Sequence, residues 1–347
     1  MTHLMIQGRR VSAYLVLTIL LLFPACVGVQ AADTQPPSAE VFQRLVNEAH
    51  AKFIDLKEGK NADYIPYLAK VDSNLFGVAV VTAKGEVYAA GDTEYAFAIE
   101  SISKPFTMAL VMQEQGEEAV LKKIGVEPTG MPFNSVMAVE LHKSAVNPLV
   151  NAGAMASVSL VKATSPDERW DKILDTYNKF AGAKLPLNQE VYKSEADTNQ
   201  HNRGIAELLY SYERLYADPT ETTDVYTKQC SVGVTTKQLA TMGATLANGG
   251  VNPITGDRVV DAKFVPKILA VMMMAGFYDE AGLWAWQTGL PAKTGVGGGI
   301  VAIVPGRFAI ASFSPPVNEA GNSVRASRAI EFIGENLGVN LFGVFAK

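Results

Sequence analysis

Two residues with reactive side chains, Ser101 and Lys104, lie three positions apart in the stretch "ESISKPF". On a helix, positions i and i+3 share one face, so the Ser101 hydroxyl and the Lys104 amine can approach within hydrogen-bond reach. A serine beside a base is a potential nucleophile. Proline is tolerated only in the first turn of a helix, so Pro105 predicts a helix that begins near Ser101. The alternative from spacing alone is that Ser101 or Ser103 caps the helix and Lys104 is solvated.

A second motif, Lys293-Thr294-Gly295, leads into an apolar strand pattern near the other end of the chain. Ser-x-x-Lys at a helix start together with Lys-Thr-Gly on a strand is typical of the penicillin-binding and serine β-lactamase architecture. Lys293 is a candidate for the second cation that depresses the pKa of Lys104, although a structural lysine is the alternative. The glycines after the motif match neither nucleotide-binding pattern, which disfavours a phosphate cradle.

Strand and helix signals indicate how these residues are held. Two strand-turn-strand patterns occur, one at 75–92 and one at 298–316. Helical patterns occur at 36–56, where Ser38 is a candidate cap, and at 323–338. The segments between the two hairpins look helical. The sequence therefore predicts an α+β fold, in which an antiparallel sheet built from both chain ends is flanked by helices and carries a large helical insert.

The first residues have the composition of an export signal. Arg9 and Arg10 precede the apolar run at 11–25, and the small residues that follow end in "VQA". Cleavage after Ala31 is predicted, which makes 1–31 a signal peptide and the protein exported and periplasmic. A retained membrane anchor and lipoprotein processing at Cys26 are the alternatives, the second with a poor lipobox. No stable membrane span is expected after cleavage.

The rest of the chain is predicted to form one catalytic domain over 32–347, because it contains no repeat and no low-complexity linker. Its sheet subregion is predicted at about 32–100 and 268–347, and its helical subregion at about 101–267. Removal of the two signal-peptide arginines leaves 30 − 2 = 28 basic residues against 35 acidic residues, a net charge of −7. An acidic protein without basic runs is a poor nucleic-acid binder.

The cysteines and histidines indicate neither a disulfide nor a metal site. Cys230 is alone once Cys26 is removed with the signal peptide, and the four histidines lack the spacing of known metal motifs. An enzyme without a metal or cofactor is therefore expected.

Seven stretches spread over nearly the whole mature chain closely resemble the serine-dependent glutaminase family. They are "NADYIPYLA", "NPLVNAGAM", "SEADTNQHNRGIA", "DVYTKQCS", "TLANGGVNPITGDRV", "GFYDEAGLWAW" and "GLPAKTGVGGGI". The resemblance implies hydrolysis of L-glutamine to L-glutamate and ammonia through a serine acyl-enzyme, in a homo-oligomer (dimer or tetramer). It also supplies site residues. One departure is visible, because many relatives carry glutamine before the nucleophile and this chain carries Glu100.

The resemblance implies that Ser101 is the nucleophile, Lys104 its base, and Tyr64 and Tyr278 the tyrosines beside the reacting amide. The positions implied to bind glutamine are Ser101, Asn151, Glu195, Asn202, Tyr226, Tyr278 and Val296.

Amide chemistry gives these residues roles. The backbone amides of Ser101 and Val296 are candidate oxyanion donors, and Tyr278 is a candidate proton relay. Glu195 suits the ammonium of a free amino acid, and Asn151 and Asn202 suit its carboxylate and side-chain amide. Taken singly, a tyrosine is more often a core or rim residue, and a glutamate is more often solvated.

Two other functions remain open at this stage. A penicillin-recognising enzyme would carry a Ser-Asp-Asn or Tyr-x-Asn element between the two motifs, and none is found at a sensible place. A non-catalytic amino-acid binding module would need none of Ser101, Lys104, Lys293 and Tyr278. Trp284 and Trp286 are interpreted as packing residues.

Overall fold

The computed structural model describes residues 37–343. The predicted signal peptide and its cleavage site lie outside these residues. Two sheets are present in the described part of the chain, with five and two strands. The strands are, in chain order, β1 Gly77–Thr82, β2 Val87–Gly91, β3 Phe97–Ala98, β4 Gly233–Val234, β5 Ala292–Thr294, β6 Gly299–Val304 and β7 Phe308–Phe313.

The larger sheet has the strand order β2-β1-β7-β6-β5, and every neighbouring pair is antiparallel. Its first two strands come from the N-terminal part of the chain and the other three from the C-terminal part. The register joins the two parts directly, because Ala79 of β1 lies opposite Ala311 of β7. The predicted α+β fold with a sheet built from both chain ends is confirmed.

Most of the helices lie between these two groups of strands. They are α1 Ala39–Phe53, α2 Lys104–Gln115, α3 Glu117–Lys123, α4 Val136–His142, α5 Asn151–Leu160, α6 Pro166–Ala181, α7 Gln189–Ala196, α8 Gln200–Ser211, α9 Pro219–Cys230, α10 Thr236–Ala247, α11 Val265–Ala275, α12 Ala281–Thr288 and α13 Val324–Leu337. Single helices of the described part are too short or too polar to cross a membrane; α11 passes that test only together with Tyr278–Thr288, at a bend of 98°.

Both faces of the large sheet are covered, which explains why its strands are apolar without a polar face. Val78 and Val80 of β1 point to the layer formed by α1 and α13, whereas Ala79 and Val81 point to the helical insert. Helix α10 packs on this second face against β1, β6 and β7. Strands alternate their side chains between the two faces, so each strand contributes to two hydrophobic cores.

The helices at the two ends of the chain follow their sequence signals. Ser38 caps α1 by accepting a hydrogen bond from the Val41 amide at 3.4 Å, as predicted. On α12, Trp284 is buried, stacks on Phe277 and donates its indole N–H to the Leu290 carbonyl.

Trp286, in contrast, is 76% exposed, so its interpretation as a packing residue is wrong. Two positions along a helix turn by about 200°, and this places the two indoles on opposite sides of α12.

Candidate active site

A 3₁₀ turn, Glu100–Ser103, runs directly into α2 and carries Ser101 to the start of that helix. The predicted helix start near Ser101 is therefore the start of the turn, and α2 itself begins at Lys104. Neither serine caps α2 with its side chain, and the Ser103 hydroxyl instead donates to the Glu100 carbonyl at 2.6 Å. Lys104 is fully buried, so the alternative of a capping serine and a solvated lysine is wrong.

The Lys104 amine is held by polar groups of α5 and the segment before it. Its Nζ donates to Asn151 Oδ1 at 2.7 Å and to the Leu149 carbonyl at 3.4 Å. Asn151 Nδ2 in turn donates to Asn202 Oδ1 at 3.0 Å, which connects α5 to α8. Burial lowers the pKa of Lys104 to about 8, against an opposing effect of Cys230 and Glu100. A substantial fraction of this amine is neutral at slightly alkaline pH, as a general base requires.

Lys293 occupies β5 beside this group and is also fully buried. Its Nζ donates to the carbonyls of Gly276 and Thr294 and lies 4.4 Å from the ring centroid of Tyr278. Burial, and then the nearby charge of Lys104, lower the pKa of Lys293 well below its usual range. The depression of the Lys104 pKa comes from burial. Burial is the larger cause for both lysines, and the mutual repulsion of their charges appears in the lowered pKa of Lys293.

Tyr278 begins a 3₁₀ turn in the left-handed backbone region, with φ of 51°. Non-glycine residues in that region are strained and occur often at functional sites. Burial raises the pKa of its hydroxyl, and the Ser101 side chain and the Val296 backbone oppose that rise. The hydroxyl is buried without a well-formed hydrogen bond in the described residues. Ser101, Tyr278 and Val296 therefore meet at one point.

The glycine-rich loop after β5 brings Val296 to this point. Gly298 has φ of 102°, and a Cβ on it would lie 2.3 Å from the Ser314 carbonyl oxygen. A Cβ on Gly295 would lie 3.0 Å from the Ile99 carbonyl oxygen. Glycine is needed at 298 both for its backbone conformation and for this close approach. The loop consequently packs against the chain next to Ser101.

The carboxyl group of Glu195 lies in the floor of the same region, at the end of α7. It is 9% exposed, and Ser231 Oγ donates to its Oε1 at 3.5 Å. Burial raises its pKa to about 7, against the effect of hydrogen bonds from Glu100 and Ser231. Tyr226, on α9, is buried with its ring centroid 6.0 Å from Lys104 Nζ. The structure thus brings both residues to the side of Ser101 and Lys104.

Tyr64 lies at the protein surface, next to these buried residues. Its side chain is 57% exposed, yet burial of the hydroxyl end, followed by the effects of Tyr278, Glu100 and Glu195, raises its pKa. A cavity of about 420 Å³ borders Tyr64, Phe133 and Val296, whereas the side chains of Ser101, Lys104 and Glu195 do not line it. The ring therefore faces the cavity while the hydroxyl approaches the buried groups.

Sequence spacing does not reveal one feature, a cluster of Glu100, Glu195 and Cys230. One donor atom of each lies within 4.8 Å of the others, and all three residues are buried. Burial and nearby charge raise the pKa of both the Glu100 carboxyl and the Cys230 thiol well above their usual ranges.

An antiparallel sheet from both chain ends, a helical insert and a buried Ser-x-x-Lys pair facing Lys-Thr-Gly define the β-lactamase-like α+β class. The family model described as Glutaminase matches residues 59–342. The chain belongs to the glutaminase family.

Curated relatives and solved structures agree with this membership. A glutaminase of Colwellia psychrerythraea is 53% identical over 88% of this chain and 99% of its own length. A glutaminase of Brucella canis is 55% identical over 89% of this chain and 98% of its own length.

Among solved structures, the probable glutaminase ybaS has a TM-score of 0.87 and 52% identity, over 88% of this chain and all of its own. Mglu in its glutamate form has a TM-score of 0.84 and 34% identity, over 89% of this chain and 72% of its own.

Proposed function

We propose that this protein hydrolyses L-glutamine to L-glutamate and ammonia through an acyl-enzyme on Ser101. The observation that carries the proposal is the meeting of Ser101, Tyr278 and Val296 beside two buried lysines with depressed pKa values. Family membership supports the substrate, because the relatives bear the name glutaminase.

In the first half of the reaction, neutral Lys104 accepts the hydroxyl proton of Ser101, and Ser101 Oγ attacks the side-chain carbonyl carbon of glutamine. The amides of Ser101 and Val296 donate to the oxygen that becomes negative. Collapse of the tetrahedral intermediate breaks the C–N bond, and the proton held by Lys104 reaches the leaving nitrogen through the Tyr278 hydroxyl. Ammonia departs, and the glutamyl group stays on Ser101.

In the second half, water attacks the carbonyl carbon of the glutamyl ester while Lys104 accepts a proton from it. The ester C–O bond then breaks, Lys104 returns the proton to Ser101 Oγ, and glutamate departs. Lys293 lies against the Tyr278 ring and is held by two carbonyls, so it orients this tyrosine rather than reaching the substrate. Its own depressed pKa limits the positive charge near Lys104.

The polar side chains around Ser101 and Lys104 recognise the substrate. Glu195 pairs with the α-ammonium, since a buried carboxylate is the strongest available partner for it. Asn151 and Asn202 are linked to each other and to Lys104, and they hold the α-carboxylate and the side-chain amide. Tyr64, near Tyr278, lies beside the reacting amide.

Substitution of the nucleophile tests the mechanism. Ser101→Ala is expected to lower ammonia release from glutamine by at least about a thousandfold while the fold is kept. Ser103→Ala is the matched control, because Ser103 Oγ bonds only the Glu100 carbonyl and should lose far less activity. Ammonia is measured for both variants with circular dichroism as a check on folding. Equal losses in the two variants would show that the nucleophile is assigned wrongly.

Substrate class is tested with the native protein, residues 32–347. It is expected to release ammonia from glutamine and to form no covalent adduct with a fluorescent penicillin. Labelling by penicillin without ammonia release would favour the penicillin-recognising alternative. Binding of glutamine without turnover would favour the binding-module alternative.

Two further proposals concern the whole protein. We propose that it is exported to the periplasm after removal of residues 1–31, and that it works as a homo-oligomer, a dimer or tetramer. The first rests on the arginines and apolar run of the N-terminal sequence. The second rests on the family resemblance and is tested by sedimentation of residues 32–347.

A further inference from the structure

The residue before the candidate nucleophile, Glu100, is held in an unusual way. It is 3% exposed, and its backbone is left-handed with φ of 51°. Its carbonyl accepts the Ser103 hydroxyl, and the loop after β5 packs against its side chain. A Cβ on Gly295 would lie 3.2 Å from Glu100 Cβ, and one on Gly297 3.2 Å from Glu100 Cγ. Strain of this kind persists only where the surroundings fix the residue, so the direction of this side chain is set.

The fixed side chain points at Glu195. One carboxyl oxygen of Glu100, one of Glu195 and Cys230 Sγ all lie within 4.8 Å of one another. Two buried carboxyl groups this close disfavour ionisation of both, and a proton on one of them lets it donate a hydrogen bond to the other. Glu100 Oε1 has no partner among the described residues although it is buried. A buried carboxyl oxygen without a donor favours the neutral, protonated form of its carboxyl group.

The other titratable groups that face the pair come from each neighbouring element. They are Lys104, Tyr64, Tyr226, Cys230 and Tyr278. The tyrosines and the thiol have raised pKa values, so they are neutral at physiological pH. Lys104 is the one of these groups that favours ionised Glu100, and burial together with Glu195 outweighs it. Glu195 accepts a hydrogen bond from Ser231 Oγ, whereas Glu100 Oε1 has no donor among the described residues, so we assign the shared proton to Glu100.

We propose that Glu100 acts as a carboxylic acid that donates a hydrogen bond to Glu195, so that the two side chains present a single negative charge to the α-ammonium of the substrate. The donated hydrogen bond keeps Glu195 ionised and aimed at the ammonium. Glu100 is thus a specificity-determining residue for free α-amino acids, an inference that rests on the proposed function.

Two substitutions distinguish Glu100 as a neutral hydrogen-bond donor from Glu100 as a negative charge and from Glu100 as a packing residue. Glu100→Gln keeps one donor and one acceptor and removes the carboxyl proton, whereas Glu100→Met keeps the volume and removes both polar functions. At pH 8, Glu100→Gln is expected to keep kcat/KM for glutamine within about threefold. Glu100→Met is expected to lower it at least about 30-fold, mainly through KM.

The pH profile and a truncated substrate complete the test. The hydrogen bond from Glu100 lowers the pKa of Glu195. Glu100→Met removes this bond, so the acid limb of kcat/KM should move to higher pH. Glu100→Gln keeps a donor, so the acid limb should stay in place. Glutaramate, which is glutamine without the α-amino group, should be an equally poor substrate for all three proteins.

Three results would overturn the inference: a loss in Glu100→Gln equal to that in Glu100→Met, an acid limb that does not move in Glu100→Met, or an additional loss with glutaramate. Affinity for L-glutamate, measured by calorimetry, should rank the three proteins in the same order without turnover. A native protein that releases no ammonia would contradict the proposed function alone, whereas the order of glutamate affinities tests Glu100 by itself.

Discussion

Burial determines the chemistry of the individual residues in this site. Lys104, Lys293 and Glu195 are almost removed from water, and in each case burial is the largest cause of the shifted pKa. A lysine on the surface would be charged at neutral pH and unable to act as a base. A buried polar group that has lost its hydrogen-bond or charge partner is costly for the same reason. Substitution of one partner in this site should therefore change activity strongly.

Glu195→Gln and Tyr278→Phe should fail in different ways. Glu195→Gln leaves the α-ammonium of glutamine beside a neutral group, at a cost of about 2–5 kcal/mol that appears mainly as a raised KM. Tyr278→Phe removes a proton relay and should lower kcat with little change in KM. Steady-state kinetics of both variants check this.

Glutaramate provides the control for the first variant, because it has no ammonium to pair with Glu195. It should be a poor substrate for the native protein and lose little more with Glu195→Gln. Additive losses from the two changes would show that Glu195 does not contact the amino group.

The pH dependence of kcat/KM should report two ionisations. Glu195 must be ionised and Lys104 must be neutral, and their pKa values are about 7 and about 8. Both active forms gain population as pH rises, so log kcat/KM should climb with a slope of about 2 below pH 7 and about 1 between pH 7 and 8. In Glu195→Gln the slope below pH 7 should fall from about 2 to about 1. A native profile that is flat through this range would contradict both assignments.

At the scale of elements, a hydrogen-bonded turn holds the strained Tyr278. Glu280 ends the 3₁₀ turn that Tyr278 begins, and its Oε2 accepts hydrogen bonds from Asn318 Nδ2 at 2.9 Å and Asn322 Nδ2 at 2.6 Å. Both asparagines lie in the chain between β7 and α13. The position of the Tyr278 hydroxyl therefore depends on a loop that follows the last strand of the sheet.

Glu280→Ala removes the acceptor of both asparagine amides. The free energy of unfolding should fall by about 1–3 kcal/mol, because buried donors are left unpaired. With Tyr278 held less firmly, kcat should fall by about tenfold while KM changes little. Thermal unfolding and steady-state kinetics measure the two effects.

Glu335→Ala on α13 is the control, since Glu335 is exposed and should change neither quantity. Loss of stability in Glu280→Ala with an unaltered kcat would mean that the turn does not position Tyr278.

At the scale of the whole protein, the N-terminal sequence predicts its destination. Residues 1–40 fused to a reporter that is active only after export should give signal, because Arg9 and Arg10 precede an apolar run. Leu17→Arg and Leu20→Arg interrupt the apolar run, so a fusion that carries both changes should stay in the cytoplasm and give no signal. A reporter retained in the cytoplasm with the native sequence would overturn the proposed export.

Local pattern predicts much of this architecture. Both hairpins were predicted from apolar runs separated by glycine-containing turns, and α1 and α13 from helical periodicity with a serine cap for α1. These signals lie within short windows, where hydrophobic period and turn chemistry agree. The two-stranded sheet of β3 and β4 was missed, because Phe97–Ala98 and Gly233–Val234 are too short to show a pattern.

By itself, the sequence determined the α+β fold, the Ser-x-x-Lys and Lys-Thr-Gly motifs and, through long family-like stretches, the candidate residues. Only the tertiary structure decided the burial and the protonation of those residues. The contact of Glu100 with Glu195 joins the turn before α2 to the end of α7, and Lys104 reaches Asn151 across the insert. Desolvation and charge depend on distances between atoms far apart in the chain, so neither spacing nor composition can specify a pKa. Folding sets these distances, and they give the site its chemistry.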